Sequence, residues 1–285
     1  MNSLILKSPA KLNLYLDVRR ERSDGYHDIE TIFERIDLCD RVTLTKISSG
    51  IRISSNSREI PLDHANLAYR AAALMLERKK KKEGVHIHLY KRIPIAAGLG
   101  GGSSNAATVL LGLNHLFRLR ASLKELLSMG RLLGSDVPFF LYQIPFATGR
   151  KRGDDIIPIQ GSLKILHLIV NNKVKVHTQR VYQQVNFTLT KKTPSAKLLK
   201  HFIRKSNLSG LIGNCYNALE APAVQSDPTI LKVKETLTAL GLEGVTLSGS
   251  GPTLFGFARN LSQAKALQKA ILSKYDWGVF ICRTY

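Results

Sequence analysis

Apolar and polar positions follow different periods in different stretches of the chain, and each period predicts an element. Leu4 to Val18 is rich in branched and aromatic residues and reads as a strand, interrupted at Pro9, which lacks a ladder N–H. Ser23-Asp24-Gly25 is a turn signal. Ile29–Leu38 and Arg41–Ile47 read as two further strands. From Asn66 to Glu77 the spacing is helical, with Leu67, Ala71, Leu74 and Met75 on one face. Val85, Ile87 and Leu89 then alternate with His86, His88 and Tyr90, as in a half-buried strand with both histidines on one face. A helix is expected from Ser103 to about Phe117. Another follows Ser122, whose spacing to Glu125 is that of a capping box, and ends near Gly134.

The second half begins, in this reading, after Phe146–Asp155, where Gly149, Gly153 and several charges mark a boundary. The chain is therefore divided into residues 1–155 and 156–285. Leu163–Val170 reads as a strand. Helices are expected near Gln179–Gln184, Ala196–Arg204, Asn217–Val224 and Pro228–Leu240, the last with an acid and a proline at its start. Val245–Ser248 and Thr253–Phe257 read as strands joined by Gly249-Ser250-Gly251-Pro252, Leu261–Leu272 as a helix and Trp277–Cys282 as a final strand. Strands and helices mix without strict alternation, which points to an α+β fold.

Composition narrows the class. No apolar run approaches the ~20 residues a membrane helix needs. Lys7, Lys11 and Asn13 break the first apolar stretch, and a motif beginning at Ser8 leaves no room for a leader, so neither a signal nor a transit peptide is expected. Cys39, Cys215 and Cys282 form an odd, sparse set without CxxC spacing, which fits a reducing cytoplasm. The net charge of +21 admits two partner classes, nucleic acids and small anions. Part of it lies in Arg78–Lys82, at the C-terminal end of a predicted helix where cations suit the dipole. No basic patch is interleaved with aromatics as in a single-strand binder. His86 and His88 have no third ligand nearby in sequence, and no metal site is expected there or elsewhere.

The segment that carries chemistry is Pro94-Ile95-Ala96-Ala97-Gly98-Leu99-Gly100-Gly101-Gly102-Ser103-Ser104. Four glycines in five residues let the backbone approach a ligand closely. The segment runs into a helix, whose unsatisfied N–H groups and positive dipole end make an anion site. Ser103 and Ser104 are placed to cap that helix or to offer hydroxyls to phosphate or to a metal shell. No Gly-Lys-Ser/Thr follows, so this is not a Walker A loop, and Gly98-x-Gly100-x-x-Ser103 lacks the last glycine of the dinucleotide fingerprint. The pattern favours phosphoryl transfer, in which positioning and charge stabilisation dominate. Asp136, after a Gly-Ser turn and before an apolar strip, is a candidate base for a hydroxyl, with helix capping as the alternative. Lys11 lies in an apolar strand, where an amine can pair with Asp136 and stabilise the transferring group, with a plain surface lysine as the alternative. Asn13 is on the same face as Lys11.

This segment resembles the second motif of the GHMP kinases. Ser8-Pro9-Ala10-Lys11-Leu12-Asn13 is similar to their first motif and Leu247-Ser248-Gly249-Ser250-Gly251-Pro252 to their third. Asp24-Gly25-Tyr26-His27 and Gly134-Ser135-Asp136-Val137-Pro138-Phe139 are similar to the branch acting on a cytidine diphosphate-linked methylerythritol in the non-mevalonate isoprenoid pathway. The resemblance implies a ribosomal protein S5 domain 2-like N-terminal half that binds ATP and a ferredoxin-like C-terminal half. It implies ATP and Mg²⁺ as cofactors, Lys11 and Asp136 as catalytic residues, and 94–104 with Asn66 as ATP-binding residues. By the same likeness Tyr26 stacks on the cytosine, His27 hydrogen-bonds its edge, Asn13 bonds the substrate near the reacting hydroxyl, and Thr178 lies near the substrate. Gly249, Ser250 and Gly251 form the wall of the site. Helix capping stays open for Asn66 and Thr178, and a tight hairpin for 249–251. Gly149-Arg150-Lys151-Arg152-Gly153-Asp154-Asp155 departs from the family's shorter Gly-Arg-Gly-Glu, and Ala218 stands where relatives often carry an acid. The partner expected is this small molecule, without nucleic acid or membrane; monomer and weak homodimer both stay open.

Overall fold

A computed structural model describes residues 2–78, 83–185 and 194–285. Of the basic run Arg78–Lys82, Lys79–Lys82 lie outside the described residues. The elements follow the order β1 (Ser3–Glu21), β2 (His27–Ile47), β3 (Ile51–Ser55), α1 (Leu67–Leu76), β4 (Gly84–Tyr90), α2 (Gly101–Leu116), α3 (Leu123–Leu133), α4 (Val137–Leu141), β5 (Phe146–Lys151) and β6 (Asp155–Pro158). Then come β7 (Leu166–Asn171), α5 (Thr178–Gln183), α6 (Ala196–Arg204), α7 (Leu208–Ile212), β8 (Tyr216–Asn217), α8 (Glu220–Ser226), α9 (Thr229–Ala239), β9 (Glu243–Leu247), β10 (Leu254–Phe257), α10 (Leu261–Leu272) and β11 (Gly278–Arg283).

Several boundaries differ from expectation. Pro9 does not interrupt β1, because proline removes one donor and leaves the extended backbone intact. The two strands expected over 29–47 are one, β2. The 146–155 stretch, read from sequence as a boundary, forms most of the hairpin β5–β6, with Arg150 paired to Asp155 and Gly153 at φ +95° in its turn. The apolar strip after Asp136 is the short helix α4, with Pro138 in its first turn, where a missing N–H costs nothing.

Two compact units emerge from the packing: Met1–Ala10, Leu38–Ile95 and Gly100–Ile144 form one, and Lys11–Asp37, Ala96–Leu99 and Pro145–Tyr285 the other. The sequence reading divides the chain once, at 155/156; the packing divides it at several points, because β1 and β2 each run from one unit into the other. In the first unit, β4 pairs antiparallel with Arg41–Ile47 of β2 and parallel with β3. The helices α1 to α4 pack together there, and their buried residues include Ala68, Ala71 and Met75 of α1, Leu110 and Leu113 of α2, Leu126 of α3 and Phe139 of α4. The capping box is present at Ser122 and Glu125. Ser54 Oγ lies 2.8 Å from both His86 Nε2 and His88 Nδ1, so the histidine pair is joined through a hydroxyl.

In the second unit, β7, β9, β10 and β11 form an antiparallel sheet in the order β11-β7-β10-β9. With α8 and α9 between β7 and β9, and α10 between β10 and β11, this is the βαββαβ arrangement of the ferredoxin-like fold expected of the C-terminal half. Its core includes Leu168, Val170, Val233, Leu237, Leu254 and Ile271. Asp227 Oδ1 accepts from the Thr229 N–H and hydroxyl and so secures the start of α9. Among the described residues no helix is long and apolar enough to cross a membrane.

Candidate active site

The glycine segment takes its shape from three left-handed positions: Ala96 at φ +52°, Gly98 at +75° and Gly100 at +68°. Gly100, not a serine, is the N-cap of α2, and no side chain caps the helix. The helix therefore starts two residues earlier than expected, and its first N–H groups have no intrahelical acceptor. Ser104 faces inward, fully buried, with its Oγ 2.8 Å from Ser8 Oγ; Ser103 is half-buried. Of the two hydroxyls offered by sequence to a phosphate or metal, the fold leaves that of Ser103 near the surface.

Two further elements of the first unit meet the start of α2. Asn66 caps α1: its Oδ1 accepts from Ala68 N at 2.9 Å and its Nδ2 donates to Pro61 O at 2.7 Å. A Cβ on Gly102 would lie 4.0 Å from Leu67, the first residue of that helix. A Cβ on Gly134 would lie 3.8 Å from Ser103 Oγ. Gly134 is the C-cap of α3, and Asp136, two residues on, is the N-cap of α4 with no side-chain cap bond. The carboxylate is thus half-buried and does not serve the capping role left open by sequence.

Lys11 and the middle of the loop belong to the second unit. Lys11 is 3% exposed. Its main-chain N–H donates to Leu99 O at 3.0 Å and its Nζ to Gly98 O at 2.8 Å and Asn13 Oδ1 at 2.5 Å. Nζ also lies 5.9 Å from the centre of the Phe33 ring. Asn13 is as expected on the same face: its Oδ1 accepts from the Lys11 ammonium, and its Nδ2, which carries two N–H groups, donates to Thr31 Oγ1, which donates to Tyr15 O.

The 249–251 segment is the turn of the β9–β10 hairpin, with Leu247 paired to Leu254, and it lies against the loop at Gly98. Ser248 Oγ donates to Gly98 O at 3.1 Å. A Cβ on Gly98 would fall 2.1 Å from Ser248 O, which excludes any side chain there, and Gly249, at φ +58°, lies where a Cβ would be 3.2 Å from Gly98 O and 3.3 Å from Lys11 Nζ. Asn217, not singled out by sequence, holds this hairpin: its Nδ2 donates to Leu247 O and Gly249 O. Thr178 begins α5, and its Oγ1 lies 2.8 Å from Ser250 Oγ.

Tyr26 and His27 follow a turn built by Gly25 at φ +77° and by Asp24, whose Oδ1 accepts from Tyr26 N. Hydrogen bonds from Arg22 hold the Asp24 carboxyl below its usual range, and bonds from Arg20 and Arg22 do the same for Asp28. Tyr26 is 54% exposed, with the Arg152 guanidinium 5.1 Å from its ring centre. Arg152 is itself tied to Asp154 at 2.8 Å. His27 packs against Tyr182 of α5, ring centres 5.1 Å apart. Neither Arg152 nor Tyr182 was legible as a site neighbour, because both contacts come from loop and helix placement.

The GHMP kinases N terminal domain model matches residues 66–143, and the GHMP kinases C terminal model residues 192–276. The chain is 41% identical over 267 residues, 93% of its length and 91% of the relative's, to the 4-diphosphocytidyl-2-C-methyl-D-erythritol kinase of Alkaliphilus metalliredigens. It is 39% identical, over 99% of both chains, to the protein of that name from Geobacter metallireducens. A solved structure of a 4-(cytidine 5'-diphospho)-2C-methyl-D-erythritol kinase superposes with a TM-score of 0.83 at 34% identity, covering 98% of this chain and 99% of that one. The loop, the lysine strand and the glycine hairpin thus occur in a chain that belongs to the GHMP kinase family.

Proposed function

We propose that this protein transfers the γ-phosphoryl group of ATP to the 2-hydroxyl of 4-(cytidine 5'-diphospho)-2-C-methyl-D-erythritol, a step of the non-mevalonate isoprenoid pathway in the cytoplasm. The observation that carries this reading is Lys11, buried, with its ammonium fixed to the carbonyl of Gly98 in the glycine loop. A cation is costly to bury unless it is bonded and used; here it stands against the loop that meets the triphosphate.

The first N–H groups of α2 receive the phosphates, favoured by the helix dipole. Asn66 and Leu67 border the adenine. The Ser103 hydroxyl is the protein oxygen that would suit a Mg²⁺ accompanying ATP, which would supply neutralisation of the polyphosphate charge. No group of three or more His, Cys, Asp or Glu side chains that could hold a metal unaided occurs among the described residues. Asp136 takes the proton of the acceptor hydroxyl as its oxygen bonds to the γ-phosphorus and the bond to the β-phosphate oxygen breaks, giving ADP and the phosphorylated acceptor. Lys11, oriented by Asn13, stabilises charge on the attacking and transferring oxygens. Tyr26 stacks on the cytosine, His27 reads its edge, and Thr178 with Gly249–Gly251 closes the acceptor side.

The test is ADP release with ATP and a panel of acceptors: the cytidine-linked methylerythritol, homoserine and mevalonate. The expected result is turnover with the first alone. Turnover with homoserine and none with the cytidine compound would replace the acceptor while keeping the kinase.

A further inference from the structure

Both flanks of the glycine loop are fastened to one buried carboxylate. Asp40, on β2, is 1% exposed. Its Oδ1 accepts from the main-chain N–H groups of Arg92 at 2.7 Å and Ile93 at 2.9 Å, the residues just before Pro94. Its Oδ2 accepts from the Asn105 amide at 3.0 Å, just after Ser104, and from the Lys91 ammonium. Lys91 also donates to Asn105 Oδ1 at 3.0 Å. Asn105 Nδ2 also lies 2.9 Å from Ser8 Oγ, which is bonded to Ser104 Oγ.

We infer that Asp40 is a positioning residue for nucleotide binding: holding the two ends of Pro94–Ser104 together, it sets the separation and aim of the amides offered to the triphosphate. This rests on reading that loop as the phosphate site. A charge is expensive to bury unless it is fully bonded, and the bonds that offset the burial of Asp40 all come from residues 91–93 and 105, at the two ends of the loop. An apolar side chain would leave the Arg92, Ile93 and Asn105 N–H groups without their acceptor and the loop ends untied. Charge-assisted bonds are short and directional, so they fix the loop before ligand arrives and spare ATP the cost of ordering it. Asp40 in this role touches no substrate.

The experiment is calorimetric titration of Mg-ATP into wild type, Asp40→Asn and Asn105→Ala, with steady-state kinetics and hydrogen exchange on the same proteins. Asp40→Asn keeps an acceptor for the two amides and gives up the charge opposite Lys91; Asn105→Ala releases only the second flank. Expected are ATP binding weakened about tenfold or more in Asp40→Asn and about threefold or more in Asn105→Ala. The KM for the cytidine acceptor at saturating ATP stays within about twofold, and exchange quickens at residues 94–104 but not in α10. ATP affinity within about twofold of wild type in both variants, or parallel weakening of ATP and acceptor, would overturn the inference. Should Asp40→Asn not fold, Asn105→Ala decides by the same criteria. A wild type that does not bind ATP would remove the reading itself, and the inference with it.

Discussion

Lys11 with the loop carbonyls it binds, and the Tyr26 turn, are held by opposite means. Lys11 is buried and bonded to main-chain and amide oxygens, and Gly98 touches the Ser248 backbone where a Cβ has no room. Tyr26 is more than half exposed, and its turn rests on the surface pairs Arg22–Asp24 and Arg22–Asp28. The part proposed to handle phosphate is therefore built into the core through close backbone contacts, and the part proposed to read the acceptor is a set of side chains on a surface turn. Damage to the first should appear in turnover and stability together, damage to the second in acceptor affinity alone.

The largest break is expected at Lys11→Met, which removes the cation while keeping much of its volume. Turnover should fall about 10²- to 10³-fold, the range seen for losing one donor to a developing charge, with acceptor KM little changed in steady-state assays. Gly98→Ala should follow. Its φ of +75° and the 2.1 Å approach to Ser248 O forbid a Cβ, so the hairpin or the loop must move. Left-handed strain alone costs about 1–2 kcal/mol, and a thermal melt should show a Tm lower by roughly 2 °C or more. A melt matching wild type would mean that hairpin and loop are not in contact.

Tyr26→Ala tests the other side of the comparison. Loss of a stacking platform costs about 1–3 kcal/mol, so acceptor KM should rise roughly 5- to 150-fold while Tm and ATP affinity hold. A fall in Tm would place this ring in the fold, not in acceptor recognition. The smallest effect lies outside both regions. The Ser122 amide, then the Ser122 hydroxyl and Arg78, hold the Glu125 carboxyl down to about 2. Its contribution to stability is complete above the ordinary value of 4.5 and is lost as pH falls from there towards 2. Glu125→Gln should thus flatten the decline of Tm between pH 5 and pH 3 by a small amount, without changing turnover at neutral pH.

The sequence was legible wherever the deciding signal is local. Asn66 caps α1, Ser122 and Glu125 form their capping box, and Leu261–Leu272 begins and ends where its spacing says. Lys11 and Asn13 share a face because a pleat requires it, and the glycines of the loop signal close backbone approach on their own. The start of α2 was misplaced because a left-handed glycine caps it and leaves no Ser or Asp signature. Asp40 was invisible for a different reason: its partners are 51 to 65 positions away, and nothing beside it in the strand announces them. Asn217 and Tyr182 likewise acquire their roles only when the chain is folded.

The assignment of base and cradle is tested most directly by single-turnover phosphoryl transfer in Asp136→Asn, with ATP binding measured on the same sample. Nucleotide affinity near that of wild type, together with a transfer rate lower by about 10²–10⁴, is the predicted pair of results. Transfer at the wild-type rate would contradict the account, since the acceptor hydroxyl would then be losing its proton to some other group.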